Sequence, residues 1–180
     1  MFRTIKNLSS HRLLWAVLIW SAIIFEGTAL FFQYGMGFSP CVMCVYERVA
    51  LFCILFSCLI AWFAPQTWFW RILGLILALI SSIKGTLIAL KHVDFQLHPS
   101  PWNQCEIIPD FPHWLQLDKW LPFLFHPTGS CSDKVWTFLN LSMAQWISVM
   151  FIAYVVVFII ILISQFISSQ PKRLIFHKNN

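Results

Sequence analysis

Residues 39–48, SPCVMCVYER, place two cysteines three positions apart and follow them directly with a glutamate and an arginine. They also open an apolar run, residues 41–64, that is long enough to cross a lipid bilayer. A helix rises about 1.5 Å per residue and the hydrocarbon layer is about 30 Å thick, so an apolar run of about 20 residues reads as a membrane span. Three further runs of this kind occur at about residues 13–32, 68–90 and 144–167. The expected fold is an all-α membrane protein, a bundle of four transmembrane helices forming a single membrane domain over residues 1–180.

Composition supports that class. The chain of 180 residues is 59% hydrophobic and only 11% charged, whereas a soluble domain carries roughly 25% charged residues. The net charge of +5 does not mark a nucleic-acid partner, because the cations gather at the chain ends. Arg3, Lys6 and Arg12 precede the first span, Lys172, Arg173 and Lys178 follow the last, and Arg71 flanks the short turn between spans two and three. Cytoplasmic segments are rich in Lys and Arg, so both termini and that turn are expected inside. The loops 33–40 and 91–143 then face outward. The first span is preceded by a basic stretch, as a signal peptide would be, but it is too long, carries Glu26 and lacks a small-residue cleavage site.

The segment 91–143 holds six of the nine prolines, which excludes a long helix and suggests an irregular loop lying on the membrane surface. Within it, HWLQLDKWLPF spaces Trp114, Leu117, Trp120 and Leu121 along one helical face. That pattern predicts a short amphipathic helix in the interface, ended by Pro122.

Topology sorts the six cysteines. Cys53 and Cys58 fall at lipid depth in span two, where a thiol behaves as a small hydrophobe. Cys41, Cys44, Cys105 and Cys131 face the side where disulfides persist. A zinc site normally shows a second C-x-x-C or a closely spaced His pair, and Cys105 and Cys131 stand about 25 residues apart, so no metal is expected. A structural cross-link suits Cys105 and Cys131, because tying a long loop stabilises it. It suits Cys41 and Cys44 poorly, because a bridge across one helical turn constrains almost nothing. Their setting favours reactivity instead. Ser39 and Pro40 read as N-cap and first helical residue, and Arg48 shares a helical face with both thiols. A helix N-terminus and a nearby cation are the conditions that make reactive cysteines.

Glu26, Glu47, Arg48 and Lys84 all fall about 9–10 Å inside the outer ends of their spans. Ionisable groups at that depth are expected to face the bundle and pair with one another or mark a site. The thiols would then stand where water meets lipid, with the charges as the polar floor of a pocket beneath them.

The four spans, together with PCVMCVYER, PSPWNQC, LDKW and a last outer-loop cysteine, resemble the DsbB family of bacterial inner-membrane disulfide oxidoreductases. The resemblance covers nearly the whole chain, and the extra cysteines Cys53 and Cys58 do not disturb its motifs. It implies that Cys105 and Cys131 form a disulfide attacked at Cys105 by a reduced periplasmic thiol oxidase of the DsbA type. Electrons would pass to Cys41–Cys44, and from Cys44 to a membrane quinone, ubiquinone or menaquinone, held near Arg48, Glu47 and His92. A vitamin-K-epoxide-reductase-like quinone reductase also uses C-x-x-C at a helix start and is separated by a substrate assay. A non-enzymatic membrane metal-binding protein would carry stoichiometric zinc and no quinone.

Overall fold

The computed structural model describes residues 7–98, 105, 109–111, 116–132 and 136–166. Four long helices dominate it: α1 (Arg12–Leu30), α2 (Val42–Phe63), α3 (Trp68–Leu97) and α6 (Met143–Phe166). All four are long and apolar enough to cross a membrane. The protein is therefore a multi-pass four-helix bundle, as its apolar runs predict.

Each helix divides into a packed and an exposed face. On α1, Trp15, Leu18, Ile19, Ala22 and Glu26 are buried, whereas Leu13, Val17, Trp20 and Ile24 are exposed. Large apolar side chains on the outside of a bundle are stable only where the solvent is itself apolar, which is the situation of a helix in lipid. Between helices, close approach needs small residues, because lipid supplies no hydrophobic drive for association. Helix α3 supplies them as Gly74, Ala78, Ser82, Gly85 and Ala89, all buried. A Cβ on Gly74 would lie 2.6 Å from the Ser57 carbonyl oxygen of α2, and one on Gly85 would lie 2.4 Å from the Phe151 ring of α6. Helix α3 is thus clasped between α2 and α6, and α2 packs in turn against α1.

Helices α1 and α6 meet in the half of the bundle remote from the C-x-x-C motif. There the Ser21 and Tyr154 hydroxyls lie 2.8 Å apart, and the Gln165 amide donates to Ser9 Oγ at 3.0 Å. Toward the cysteine end a cavity of about 490 Å³ lies between them.

Several boundaries depart from the apolar runs. Helix α3 continues to Leu97 instead of ending near residue 90, so Lys91, His92 and Asp94 are helical and not part of a loop. Hydropathy marks where lipid ends. The helix persists because His92, Phe95 and Gln96 keep a buried face beyond it. Helix α1 passes into a π-helical turn, Phe31–Gly35. The N-cap of α2 is Cys41, two positions later than Ser39 and Pro40 suggest.

The expected amphipathic helix is two short turns, α4 (Leu117–Trp120) and α5 (Pro122–Phe125). Pro122 opens the second turn instead of closing the first. Leu121 between them has φ −133° and ψ 64°, as expected of a residue pushed off the helical region by a following proline. Trp120 and Leu121 are exposed, and Trp114 lies outside the described residues. A two-residue hairpin, β1 (Thr137–Phe138) with β2 (Leu141–Ser142), then leads into α6. Its corner residues Leu139 and Asn140 have φ of 52° and 61°, the pair of positive values that a tight two-residue hairpin turn requires. Ser142 and Gln145 cap α6 reciprocally, each side chain accepting from the other's amide, at 2.8 and 3.4 Å.

Candidate functional site: two cysteine pairs above an apolar cavity

Cys105 and Cys131 form a disulfide, the pairing that the family resemblance implies. Cys41 and Cys44 are not bonded to each other, but their sulfurs approach to 2.8 Å. The two pairs are not separate features. Cys41, Met43, Phe95 and Cys131 form one buried apolar cluster, with Cys44, Tyr46, Ile88 and Cys105 packed against it.

The C-x-x-C segment itself holds both arms of the disulfide loop. On the Cys131 arm, the Thr128 and Gly129 amides both donate to the Pro40 carbonyl, at 2.9 and 3.0 Å. On the Cys105 arm, the Asp110 amide donates to the Tyr46 hydroxyl at 2.7 Å, and Phe111 meets the Tyr46 ring edge-on at 5.7 Å. An extended chain with free carbonyls just ahead of a helix is a natural dock for another backbone, and Pro40 provides it. Neither Tyr46 nor Gly129 stands out in the sequence, because each acts on a segment far along the chain.

Cys41 caps α2 with its own side chain, the Cys44 amide donating to Cys41 Sγ at 3.3 Å. The second neighbour of that sulfur is His92 of α3, whose Nε2 lies 3.5 Å away. The other ring nitrogen, Nδ1, lies 2.9 Å from Glu47 Oε1. Glu47, His92 and Cys41 therefore form a chain of contacts, all three buried. The apolar run places His92 beyond the end of span three. The structure places it inside α3, facing the C-x-x-C motif of α2.

Arg48 lines the same cavity as Cys44, Glu47 and His92. Its guanidinium is committed elsewhere, with Nε 2.9 Å from Glu26 Oε1 and Nη1 donating to Gln33 Oε1 at 2.9 Å and to the Leu124 carbonyl. The Nε–H is not aimed at the Glu26 oxygen, so this contact is an ion pair without a well-formed hydrogen bond. Arg48 thus ties α1, α2 and α5 together. The Gln33 amide and the Tyr34 hydroxyl both donate to the Phe123 carbonyl, and Phe125 packs on Phe52, at 6.0 Å between rings.

Of the four charges expected in one inward-facing layer, three are buried and Lys84 is not. It is exposed on the outside of α3, because the buried stripe of that helix runs through Ser82 and Gly85 on either side of it. Cys58 is fully buried in the bundle core and Cys53 is exposed on its flank, far from the other cysteines along α2, as the sequence predicts. The segment 99–104, with Trp102, lies outside the described residues.

The cavity walls are largely apolar, including Phe25, Phe32, Met150 and Phe151. Its polar end presents Cys44, Glu47, Arg48 and His92, and Glu47 Oε2 is buried there with no hydrogen-bond partner among the described residues. An apolar pocket with a few convergent polar groups suits a flat organic ligand with one polar rim.

A family model described as disulfide bond formation protein DsbB matches residues 11–161. The chain is 56% identical over 172 residues to disulfide bond formation protein B of Mannheimia succiniciproducens, covering 96% of this chain and 97% of that protein. It is 54% identical to the protein of that name from Histophilus somni, covering 95% and 97%, and 45% identical to the one from Haemophilus influenzae, covering 98% and 100%.

Proposed function

The chain belongs to the DsbB family of disulfide bond formation proteins, and from that premise we propose that it reoxidises a periplasmic DsbA-type thiol oxidase and delivers the electrons to a membrane quinone. In this reading it lies in the bacterial inner membrane with both termini in the cytoplasm and its four outer cysteines at the periplasmic face. The observation that carries the proposal is the packing of a closed disulfide and an adjacent C-x-x-C pair in one cluster at the mouth of an apolar cavity.

The chain's own residues supply a complete exchange path. A thiolate of the reduced partner attacks Cys105 Sγ, forming a mixed disulfide and freeing the Cys131 thiolate. Cys131 attacks Cys41 Sγ in an oxidised Cys41–Cys44 bridge, forming Cys41–Cys131 and freeing Cys44. The partner's second thiol displaces Cys105 and leaves with its disulfide formed. Cys105 then attacks Cys131, restores the loop disulfide and frees Cys41. Each step is thiolate attack on a disulfide sulfur, so access and alignment govern the rate. The net result is a reduced Cys41–Cys44 pair that has received two electrons.

The pinned loop arms keep Cys131 beside Cys41. The Cys44 amide and the start of α2 stabilise charge that develops on Cys41 Sγ as its bond breaks. His92, oriented by Glu47, is placed to move a proton at that sulfur, the arrangement of a base held by a carboxylate. Glu47, Arg48 and His92 are the residues that would hold the polar rim of a quinone, with the apolar walls taking its ring and tail. A quinone, when bound, supplies the two-electron, two-proton acceptor that closes Cys41–Cys44 again.

The test is quinone reduction by purified protein supplied with a reduced DsbA-type partner. Cys44→Ser and Cys105→Ser should each abolish it. Cys131→Ser should lengthen the life of a mixed disulfide that maps to Cys105. Substantial turnover by Cys44→Ser, or a partner cross-linked mainly to Cys41, would overturn the assignment.

A further inference from the structure

The spacing of C-x-x-C alone gives no reason to expect a metal ligand set, but the fold brings in a third ligand from 51 residues away. We propose that the reduced Cys41–Cys44 pair and His92 Nε2 form a three-ligand site for a thiophilic divalent cation such as zinc, open at its fourth position to the cavity. Occupation of this site holds the pair in its dithiol state. The site rests on the geometry alone. Its consequence for turnover rests on the oxidoreductase cycle proposed above.

Cys41 Sγ, Cys44 Sγ and His92 Nε2 all lie within 4.8 Å of one another. Tetrahedral zinc has bonds of about 2.3 Å to sulfur and about 2.0 Å to nitrogen, which sets sulfur–nitrogen separations of about 3.5 Å and sulfur–sulfur separations of about 3.8 Å. Cys41 Sγ and His92 Nε2 are already 3.5 Å apart. The two sulfurs, at 2.8 Å, need to part by about 1 Å, and half-buried Cys44 at the cavity edge has room to turn.

The outer shell is also built. Metal-bound histidines typically hand their other ring N–H to a carboxylate, which fixes the ring and raises its basicity. Glu47 Oε1 is the carboxylate placed to accept it, 2.9 Å from His92 Nδ1, leaving Nε2 directed at Cys41. Two thiolates bind one divalent cation and release two protons, so the buried complex carries no net charge from its sulfurs and metal, which lowers the cost of burying it. The set of two cysteines, one histidine and an open position is one that zinc adopts in catalytic sites.

Binding and redox state exclude each other. Closing the Cys41–Cys44 disulfide removes both sulfur ligands, so only the reduced pair coordinates, and a coordinated pair cannot close. An excess of thiophilic cation would thereby stop the protein between turnovers without touching Cys105 or Cys131.

The test is titration of the full-length reduced protein, purified in detergent, with Co²⁺, read by thiolate-to-cobalt charge transfer and tetrahedral d–d absorption, followed by displacement with Zn²⁺. One cation per chain and two released protons are expected, with no signal from oxidised protein. Cys44→Ser and His92→Ala should weaken binding at least a hundredfold, and Glu47→Gln ten- to a hundredfold. Cys53→Ala with Cys58→Ala should leave it unchanged. Equal binding by oxidised and reduced wild type, or unaltered affinity in both His92→Ala and Glu47→Gln, overturns the site. In a parallel arm, Zn²⁺ should arrest quinone reduction and a chelator restore it. A cobalt signal from a protein that never reduces quinone would reject the proposed function and leave the site standing. Turnover with no cobalt signal would reject the site alone.

Discussion

Replacing Gly129 by alanine tests whether docking of the loop onto the C-x-x-C segment controls exchange between the cysteine pairs. A Cβ at that position would lie 2.4 Å from the Ser39 carbonyl oxygen and 3.1 Å from the carbonyl carbon. Ordinary contact needs about 3.5 Å, so one backbone must retreat by about 1 Å. The two closest atoms belong to main chain, and the third, Ser39 Cβ at 3.2 Å, is fixed to it, so no rotamer change relieves the clash. A retreat of that size breaks the amide bonds from Thr128 and Gly129 to Pro40, now 2.9 and 3.0 Å long. Two such bonds are worth about 1–3 kcal/mol together, which is on the order of a tenfold to a hundredfold loss in the docked population. Transfer from Cys131 to Cys41 should slow by a similar factor. The assay is single-turnover mixing of oxidised protein with a reduced partner, followed by acid quench and alkylation of the Cys41 and Cys44 thiols. Attack at Cys105 should keep its rate, because Tyr46 anchors that arm independently. Ser39→Gly should not rescue Gly129→Ala, because the closest atom is a backbone oxygen. Gly27→Ala, whose Cβ meets nothing within 4 Å, is the control. Wild-type transfer between the pairs in Gly129→Ala would refute the reasoning.

Breaking the buried Arg48–Glu26 pair from one side should cost about 3–5 kcal/mol, so Arg48→Ala should lower thermal stability; separately, loss of one charge-assisted hydrogen bond to the ligand, about 1.5–3 kcal/mol, should raise the apparent quinone KM by about ten- to a hundredfold. Glu26→Gln combined with Arg48→Ala should cost less than the sum of the single changes, and strict additivity in melting experiments would show that the two do not act as a pair. Gly85→Ala should destabilise the α3–α6 contact by about 1–3 kcal/mol, because Phe151 is fully buried and its ring has nowhere to move; unfolding in detergent measures this, and an unchanged midpoint would contradict the packing. Cys53→Ala with Cys58→Ala should keep full turnover while losing about 1 kcal/mol of stability at the buried Cys58 site, and loss of activity would place one of these thiols on the electron path.

By itself the sequence determined the four spans, the separation of Cys53 and Cys58 from the other cysteines, and the C-x-x-C at the mouth of the second span. These are readings along one dimension: hydrocarbon thickness sets the length of an apolar run, and position along it sets depth. Depth, however, says nothing about direction. Lys84 lies at a depth like that of Glu47 yet is exposed, because the small-residue stripe of α3 turns it away from the bundle. Arg48 faces inward and is claimed by Glu26, Gln33 and the Leu124 carbonyl. His92 lies beyond the apolar run, so the run says nothing of what its ring faces. Only the continuation of α3 to Leu97, and its rotation against α2, put its ring between Glu47 and Cys41. Helical phase and interhelical rotation are set by which side chains allow backbones to approach, here Gly74 against Ser57 and Ala61 and Gly85 against Phe151. Those contacts join residues far apart in the chain, so the tertiary structure alone decided what stands beside each thiol.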